Sequence, residues 1–172
     1  MQRKLKKIFI MTFIVLATVS CGRNELYRKT IEFDNYKWER LSKDKTHGNS
    51  IDFTDINVKD NKDPYDIYIT VRHSSLINVG SVKFVMEMTS PNGTTRSSMH
   101  TINLKDRSGK KFIGDVAGDL YDVEERVKSF MSFTETGKYT IRIINLAPVY
   151  EVIGIIDMTM SIKKSDLDYD LK

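Results

Sequence analysis

Short segments in which apolar and polar residues alternate are the feature that most restricts the fold of this chain. The segment Pro64–His73 alternates cleanly, and the segment Val82–Met88 repeats the pattern. Successive side chains of a β-strand point to opposite faces, so a period of two predicts strands that are buried on one face. The side chains predicted to share such a face are Ile67, Ile69 and Val71 in the first segment, and Val82, Phe84, Met86 and Met88 in the second.

Strand signals continue along most of the chain, and no stretch has the period of a convincing amphipathic helix. Turns are predicted at Ser90–Gly93 and Asp106–Gly109, where glycine accepts a positive φ. Glycines at 114 and 118 predict an ordered loop over 114–122, and Val123–Phe133, which fits neither period well, is assigned to a strand. Further strands are predicted at 31–38, 50–58, 94–104, 110–113, 138–146 and 154–163, the last with Ile156, Met158, Met160 and Ile162 on one face.

About seven to nine strands separated by turns predict an all-β fold, an antiparallel β-sandwich of the Ig-like or jelly-roll-like type. The phrase Thr136-Gly-Lys-Tyr-Thr140 supports this prediction. A Gly-x-Tyr sequence that opens a strand often places its tyrosine at the corner between two sheets, with the hydroxyl group bonded to nearby backbone. Tyr139 is the residue expected at this corner.

Residues 1–20 have the organisation of an export signal. A basic cluster is followed by the apolar run 8–19, and the small residue Ser20 precedes Cys21. The apolar run is too short to cross a bilayer, which needs about 20 apolar residues. Cys21 is the only cysteine of the chain, and lipid attachment explains why an exported protein would carry one thiol. We therefore expect diacylglycerol and an N-linked acyl chain on Cys21, and no other cofactor.

Cleavage before Cys21 sets the predicted regions and the charge of the mature chain. The regions are the signal peptide 1–20, a lipidated tether 21–30, a β-sandwich domain 31–165 and a frayed C-terminal tail 166–172. Four of the 27 basic residues lie in the signal, so the 23 that remain equal the 23 acidic residues. A chain without net positive charge has no field that favours nucleic acid, and nucleic-acid binding is not expected.

The titratable residues form no recognisable catalytic motif. His47, His73 and His100 are isolated from one another, and neither a phosphate-binding glycine loop nor a nucleophile elbow is present. We therefore expect a protein that is not an enzyme, holds no metal and has no small-molecule substrate.

Two binding alternatives remain open. Asp115, Asp119 and Asp122 lie in a glycine-containing loop, and carboxylate oxygens there suit calcium, although capping of tight turns is the favoured interpretation. Tyr36 and Trp38 lie two apart, and hence on the same side of a strand, where aromatic rings can bind a glycan. Burial of these rings in the core or at a corner is the favoured interpretation of this pair.

Several phrases in the same order resemble the gliding-motility lipoprotein GldH family of Bacteroidetes. Phe112 stands where this resemblance leads us to expect tryptophan. The matching phrases are Pro64-Tyr-Asp-Ile-Tyr-Ile69 with Arg72-His73, Gly118-Asp-Leu-Tyr-Asp122, Thr136-Gly-Lys-Tyr-Thr140 and Gly154-Ile-Ile-Asp157.

The resemblance implies a membrane-anchored, non-enzymatic lipoprotein that acts in gliding alongside type IX secretion. Its expected partners are the membrane, through the lipid, and gliding or secretion proteins. We expect a scaffold or assembly factor at the outer membrane facing the periplasm, with a partner contact at Asp119, Tyr121 and Asp122. A surface lipoprotein that binds glycans through Trp38 and Tyr36 is the alternative function.

Overall fold

A computed structural model of the chain describes residues 24–40 and 50–166. The predicted signal peptide, Cys21, His47 and residues 167–172 of the predicted tail lie outside the described residues. The described residues form β-strands joined by turns, with one 3-10 turn at Asp34–Tyr36. No helix among them is long and apolar enough to cross a lipid bilayer.

Eleven strands are found in the described part of the chain. In order they are β1 (Glu25–Glu32), β2 (Lys37–Glu39), β3 (Ser50–Val58), β4 (Tyr65–Ser74), β5 (Ser81–Thr89), β6 (Thr95–Asn103), β7 (Asp115–Ala117), β8 (Leu120–Met131), β9 (Gly137–Asn145), β10 (Glu151–Ile153) and β11 (Ile155–Lys164).

The long strands form two antiparallel sheets that enclose one hydrophobic core. Their orders are β1-β11-β4-β8-β7 and β3-β9-β5-β6, while β10 and β2 form a small third sheet. If the eight long strands are numbered in chain order, the two sheets read 1-8-3-6 and 2-7-4-5, which is the connectivity of a jelly roll. The predicted antiparallel β-sandwich is therefore confirmed, and the strand order selects the jelly-roll type.

The predicted buried faces of β4 and β5 are confirmed. The side chains of Ile67, Ile69 and Val71 are fully buried, and those of Val82 and Phe84 pack into the same core. Met86 is also buried, and Met88 at the end of β5 is half-buried. Burial of this apolar surface, at about 25 cal/mol per Å² removed from water, is the main force that holds the two sheets together.

The predicted face of β11 needs one correction. Met158, Met160 and Ile162 are buried as expected, but Ile155 rather than Ile156 points into the core with them. A β-bulge between Ile155 and Asp157 inserts one extra residue opposite β4. The extra residue reverses the inward face only on the N-terminal side of the bulge, and this local irregularity cannot be read from the period of the sequence.

Three predicted boundaries also change. Residues 25–30, expected in an irregular tether, belong to β1 and pair with β11. The expected strand 110–113 is reduced to an isolated bridge between Lys105 and Phe112. The expected loop 114–122 is a hairpin in which β7 pairs with the start of β8. Each segment is short and polar, so pairing with a neighbouring strand decides its conformation.

The tyrosine expected at a corner between the sheets is confirmed. The Tyr139 hydroxyl accepts a hydrogen bond from the Glu135 backbone N–H at 3.1 Å and donates one to the Glu135 carbonyl oxygen at 3.1 Å. Its ring lies against Phe133, with centroids 4.8 Å apart. One buried side chain therefore fixes the connection between β8 and β9.

Replacement of this hydroxyl group tests its contribution. We expect Tyr139→Phe to lower the free energy of unfolding by about 1–3 kcal/mol, because the Glu135 backbone loses its partner in a partly buried turn. Tyr150→Phe is the matched control, since Tyr150 is exposed, and its effect should stay below about 0.5 kcal/mol. Chemical denaturation of both variants is the measurement; equal effects would contradict a structural role for the Tyr139 hydroxyl.

Candidate functional site

Three segments that carry the family-like phrases lie side by side at one end of the larger sheet. Arg72 on β4 lies opposite Asp122 on β8 and opposite Asp157 on β11. The next residue, His73, lies opposite Tyr121 on β8. Segments that are far apart in the sequence therefore form one cluster.

The sandwich has two ends, here called the far end and the near end. The far end is the one at which β1 ends, and it contains Glu32, Ser74 and Leu120. The near end is the opposite one, at which β1 begins with Glu25, and it contains Tyr65 and Met131. The ten residues of β4 run between the two ends, a distance of about 30 Å at 3.3 Å per residue.

On the outer face of the far end, Arg72 connects three strands. Its guanidinium group donates two hydrogen bonds to the Asp122 carboxylate, each at 2.7 Å, and Arg72 Nη1 lies 3.7 Å from Asp157 Oδ2. The hydrogen bonds from Arg72 lower the pKa of Asp122. Burial raises the pKa of Asp157; the positive charge of Arg72 opposes this rise, and the negative charges of Asp122 and Glu32 add to it.

On the inner face, three rings close the core. His73 and Tyr121 are stacked, with ring centroids 5.3 Å apart and an angle of 9° between their planes. Phe112 lies 5.1 Å from both rings, and Lys105 Nζ lies 4.9 Å from the centroid of Phe112. Phe112 thus fills the position where the resemblance led us to expect a larger aromatic residue.

His73 is completely buried, and its ring has one hydrogen-bond partner within the part of the chain that the structure describes. Its Nδ1 lies 2.9 Å from the Ser74 carbonyl oxygen, which can only accept, so Nδ1 carries the proton. The other ring nitrogen, Nε2, is buried and has no partner among the described residues. Desolvation lowers the pKa of His73, because a protonated ring here would place an unpaired N–H and a charge in the core.

The cluster holds the turn Ser74–Asn78, which follows β4. The Ser74 and Ser75 N–H groups donate to the carbonyl oxygens of Gly154 and Asp119, at 2.8 and 3.0 Å. The Asn78 side chain donates to the Glu151 carbonyl oxygen at 3.0 Å and accepts from the Ile153 N–H at 2.9 Å. Both neighbouring strand connections therefore fix this turn from its two sides.

Gly154 allows the close approach that this arrangement requires. Its φ is +89°, and a Cβ atom at this position would lie 2.9 Å from the N and Cα atoms of Ile77. Real Cβ atoms do not approach backbone this closely, and L residues rarely adopt this φ. Glycine is therefore required both by backbone conformation and by packing against the turn.

The turn presents Leu76 to solvent, with 82% of the residue exposed. It is one of nine exposed large hydrophobic residues in the described part of the chain, and seven of the nine lie at the far end. Sequence analysis did not identify Leu76; the only available signal was a pair of apolar residues, Leu76 and Ile77, after two serines in a predicted connection. The far-end residues are Tyr36, Leu76, Ile113, Val116, Leu146, Tyr150 and Ile153, whereas Met99 and Phe130 lie elsewhere.

The residues predicted for partner contact all lie at the far end, but in different surroundings. Asp119 is exposed at the tip of the β7–β8 hairpin, and its carbonyl oxygen is bonded to Ser75. Tyr121 is half-buried against His73, and Asp122 is held by Arg72. Within the described ranges, no group of three acidic, histidine or cysteine side chains is arranged to hold a metal ion.

The expectation that Tyr36 and Trp38 share one side of a strand is wrong. Tyr36 ends the 3-10 turn with a φ of +57°, which interrupts the alternation before β2 begins. Trp38 is only 3% exposed and packs on Phe33, with ring centroids 5.3 Å apart, whereas Tyr36 is 61% exposed. Trp38 therefore belongs to the core, and the two rings form no platform for a glycan.

A known family matches most of the chain. A family model described as GldH lipoprotein matches residues 25–162, which span the whole sandwich except its last residues. The chain belongs to the GldH lipoprotein family. This family membership associates it with gliding motility and, as a lipoprotein, with a membrane through lipid.

Curated proteins and solved structures give no further information about function. No curated protein matches the sequence. A solved structure, the VP2 subviral particle of infectious bursal disease virus, is 12% identical with a TM-score of 0.35, and the match covers 81% of this chain and 32% of that chain. A likeness this slight carries no argument about function.

Substitution of Gly154 tests the packing of the turn. We expect Gly154→Ala to lower the free energy of unfolding by at least about 2 kcal/mol more than Gly93→Ala, since both glycines have a positive φ but only Gly154 contacts backbone. Gly93, with a φ of +87° and open space around it, is thus a control for backbone strain alone. Similar losses in chemical denaturation would show that Gly154 is not packed against Ile77.

Burial of histidine also predicts how stability depends on pH. The pKa values of His73 and His100 are lowered by desolvation, so between pH 7.5 and 5.5 the unfolded chain binds protons before the folded chain does. The free energy of unfolding should therefore fall as the pH drops below about 6.5, by at most about 1.4 kcal/mol per pH unit for each histidine. Below this range, the raised pKa of Asp157 acts in the opposite direction.

Denaturation curves at several pH values measure the slope of the free energy of unfolding against pH. We expect His73→Gln and His100→Gln each to reduce it, and the double variant to reduce it further. The slope, rather than the absolute stability, is compared, so a general loss of stability does not affect the result. A slope that is unchanged in His73→Gln would contradict the burial of a neutral ring.

Proposed function

We propose that the mature chain is a non-enzymatic scaffold or assembly factor of the gliding-motility machinery that acts alongside type IX secretion. In this proposal it is anchored by lipid on Cys21 and works by contacting other envelope proteins. Family membership supports the association with gliding motility and with a membrane. The observation that carries the proposal is that exposed apolar side chains collect at the far end, opposite the start of the N-terminal strand.

Lipid on Cys21 would restrict the position of the near end. Only four positions separate Cys21 from Glu25, the first residue of β1, and four extended residues span at most about 14 Å. The near end would thus remain close to the lipid surface. We further propose that the strands point away from the membrane, so that the far end, about 30 Å further along them, is the part of the sandwich that reaches furthest from the lipid surface.

Several acyl chains on one cysteine hold a protein firmly, whereas a single chain of myristoyl size binds only marginally. A firmly anchored domain meets its neighbours at a raised effective concentration, so weak contacts are sufficient for assembly. We propose the inner leaflet of the outer membrane, facing the periplasm, because Gly22-Arg-Asn-Glu25 lacks an acidic run of the kind that resembles a surface-export tag.

Within this proposal, the predicted contact residues have different roles. Asp119 touches the partner, since its side chain is exposed at the hairpin tip. Tyr121 and Asp122 hold the hairpin on β4 through His73 and Arg72. Loops and turns on rigid scaffolds commonly carry recognition in this way.

Affinity purification from membranes tests the proposed function. We expect the wild-type chain to fractionate with membranes and to co-purify with gliding or type IX secretion proteins. The Cys21→Ser variant should move to the soluble fraction and lose both palmitate labelling and these proteins, although its domain remains folded. A wild-type chain that is found free in the soluble fraction, or that purifies without any such protein, would refute the proposal.

A further inference from the structure

Leu76 is a large apolar side chain exposed on a turn that is firmly held by hydrogen bonds. A leucine that is 82% exposed leaves apolar surface in water, and the folding of the chain gains nothing from it. Ile77, the next residue, is buried at 6% exposure, and backbone or side-chain hydrogen bonds fix Ser74, Ser75 and Asn78. The turn thus presents one large apolar side chain in a fixed position.

A side chain held in this way is prepared for binding. Ordering a mobile loop opposes association, and a turn that is already ordered avoids this cost. Interfaces are commonly dominated by a few large side chains near the centre, surrounded by polar groups that exclude water. Leu76 has such surroundings at the far end, with the exposed Val116 and Asp119 on the adjacent hairpin.

The charges around Leu76 indicate what kind of surface it meets. Asp115 and Asp119 lie on the β7–β8 hairpin and form no ion pair with any described residue. The connection before this hairpin carries the exposed cations Arg107, Lys110 and Lys111. Both signs of charge are therefore present at one end. An anionic lipid surface offers one sign only, whereas a folded protein can match both.

A second copy of this chain is a poor match, given the proposed anchor. Two copies with strands pointing away from the membrane, joined through their far ends, would direct their near ends away from each other. Each near end, however, must stay within about 14 Å of the membrane to which Cys21 is attached. A different protein is free of this restriction.

We infer that the far end, centred on Leu76, is a docking surface for another envelope protein, which receives Leu76 in an apolar pocket with a basic group facing Asp119. This inference rests on the proposed function, because the proposed anchor and orientation make a second copy a poor match. Leu76 is the central apolar contact, and Asp119 fixes the orientation of the partner. Arg72, His73 and Gly154 are positioning residues, since they hold the turn and do not touch the partner.

Site-specific photo-crosslinking in the full-length, membrane-anchored chain tests the inference. A photoreactive residue at position 76 should form an adduct with one envelope protein, identified by mass spectrometry. The matched control is position 99, because Met99 is also an exposed large apolar residue, at 72%, but lies on β6 away from the far end. We expect the adduct at position 99 to be weaker by about tenfold or more.

Substitutions give the second measurement. Leu76→Asp should reduce co-purification of the crosslinked protein by about tenfold or more, and Asp119→Arg should also reduce it, whereas Met99→Asp should leave it unchanged. All three side chains are exposed, so the unfolding temperatures should stay close to that of the wild type. Unchanged co-purification of Leu76→Asp, or equal adducts at positions 76 and 99, would overturn the inference.

The identity of the adduct separates the remaining outcomes. An adduct between two copies of this chain, or with lipid, would overturn docking to a different protein. An adduct at position 76 with an identified envelope protein outside gliding and secretion, reduced by Asp119→Arg, would support the docking surface while the proposed function fails. If motility or secretion proteins co-purify with Leu76→Asp as well as they do with the wild type, the docking surface fails while the proposed function stands.

Discussion

The register in which β4 pairs with β8 and β11 is the constraint on which the far end depends. This register places Arg72 between Asp122 and Asp157 on the outer face, and His73 against Tyr121 on the inner face. Because side chains alternate across a strand, a slip of one residue would move Arg72 into the core and His73 into solvent. The ion pairs and the ring stack therefore specify one alignment of the three strands, and the turn after β4 can be held only in that alignment.

The energy that stabilises the fold comes from elsewhere. The Arg72 and Asp122 side chains are 44% and 32% exposed, and a pair this accessible to water contributes roughly 0–1 kcal/mol. The completely buried residues of the two sheets, such as Ile69, Phe84 and Ile141, contribute far more through removal of apolar surface from water. The far-end cluster thus determines the position of the turn after β4 more than it determines the stability of the fold. Such a division suits a binding surface, whose geometry must be exact to within a fraction of an ångström while the core supports it.

The two ends of the sandwich have different chemistry, and this difference connects the fold to the proposed role. At the near end, β1 begins a few residues after the predicted lipid site, and the Tyr139 corner closes the core. At the far end, connections between strands carry most of the exposed apolar side chains together with both signs of charge. A jelly roll places its inter-sheet connections at its two ends, so one end can serve attachment while the other serves recognition. No catalytic chemistry is needed for such a role.

The sequence by itself determined the all-β class, the buried faces of β4 and β5, the Tyr139 corner and the family, because each rests on local period or on short phrases. It also predicted the signal and Cys21, which the described residues do not reach. Only the tertiary structure decided that Trp38 is buried, that a bulge at Ile156 places Ile155 in the core instead, that 114–122 forms a hairpin and that Leu76 is exposed. These features depend on which strands become neighbours. Pairing between distant segments is set by the packing of the whole core, and no local pattern records it.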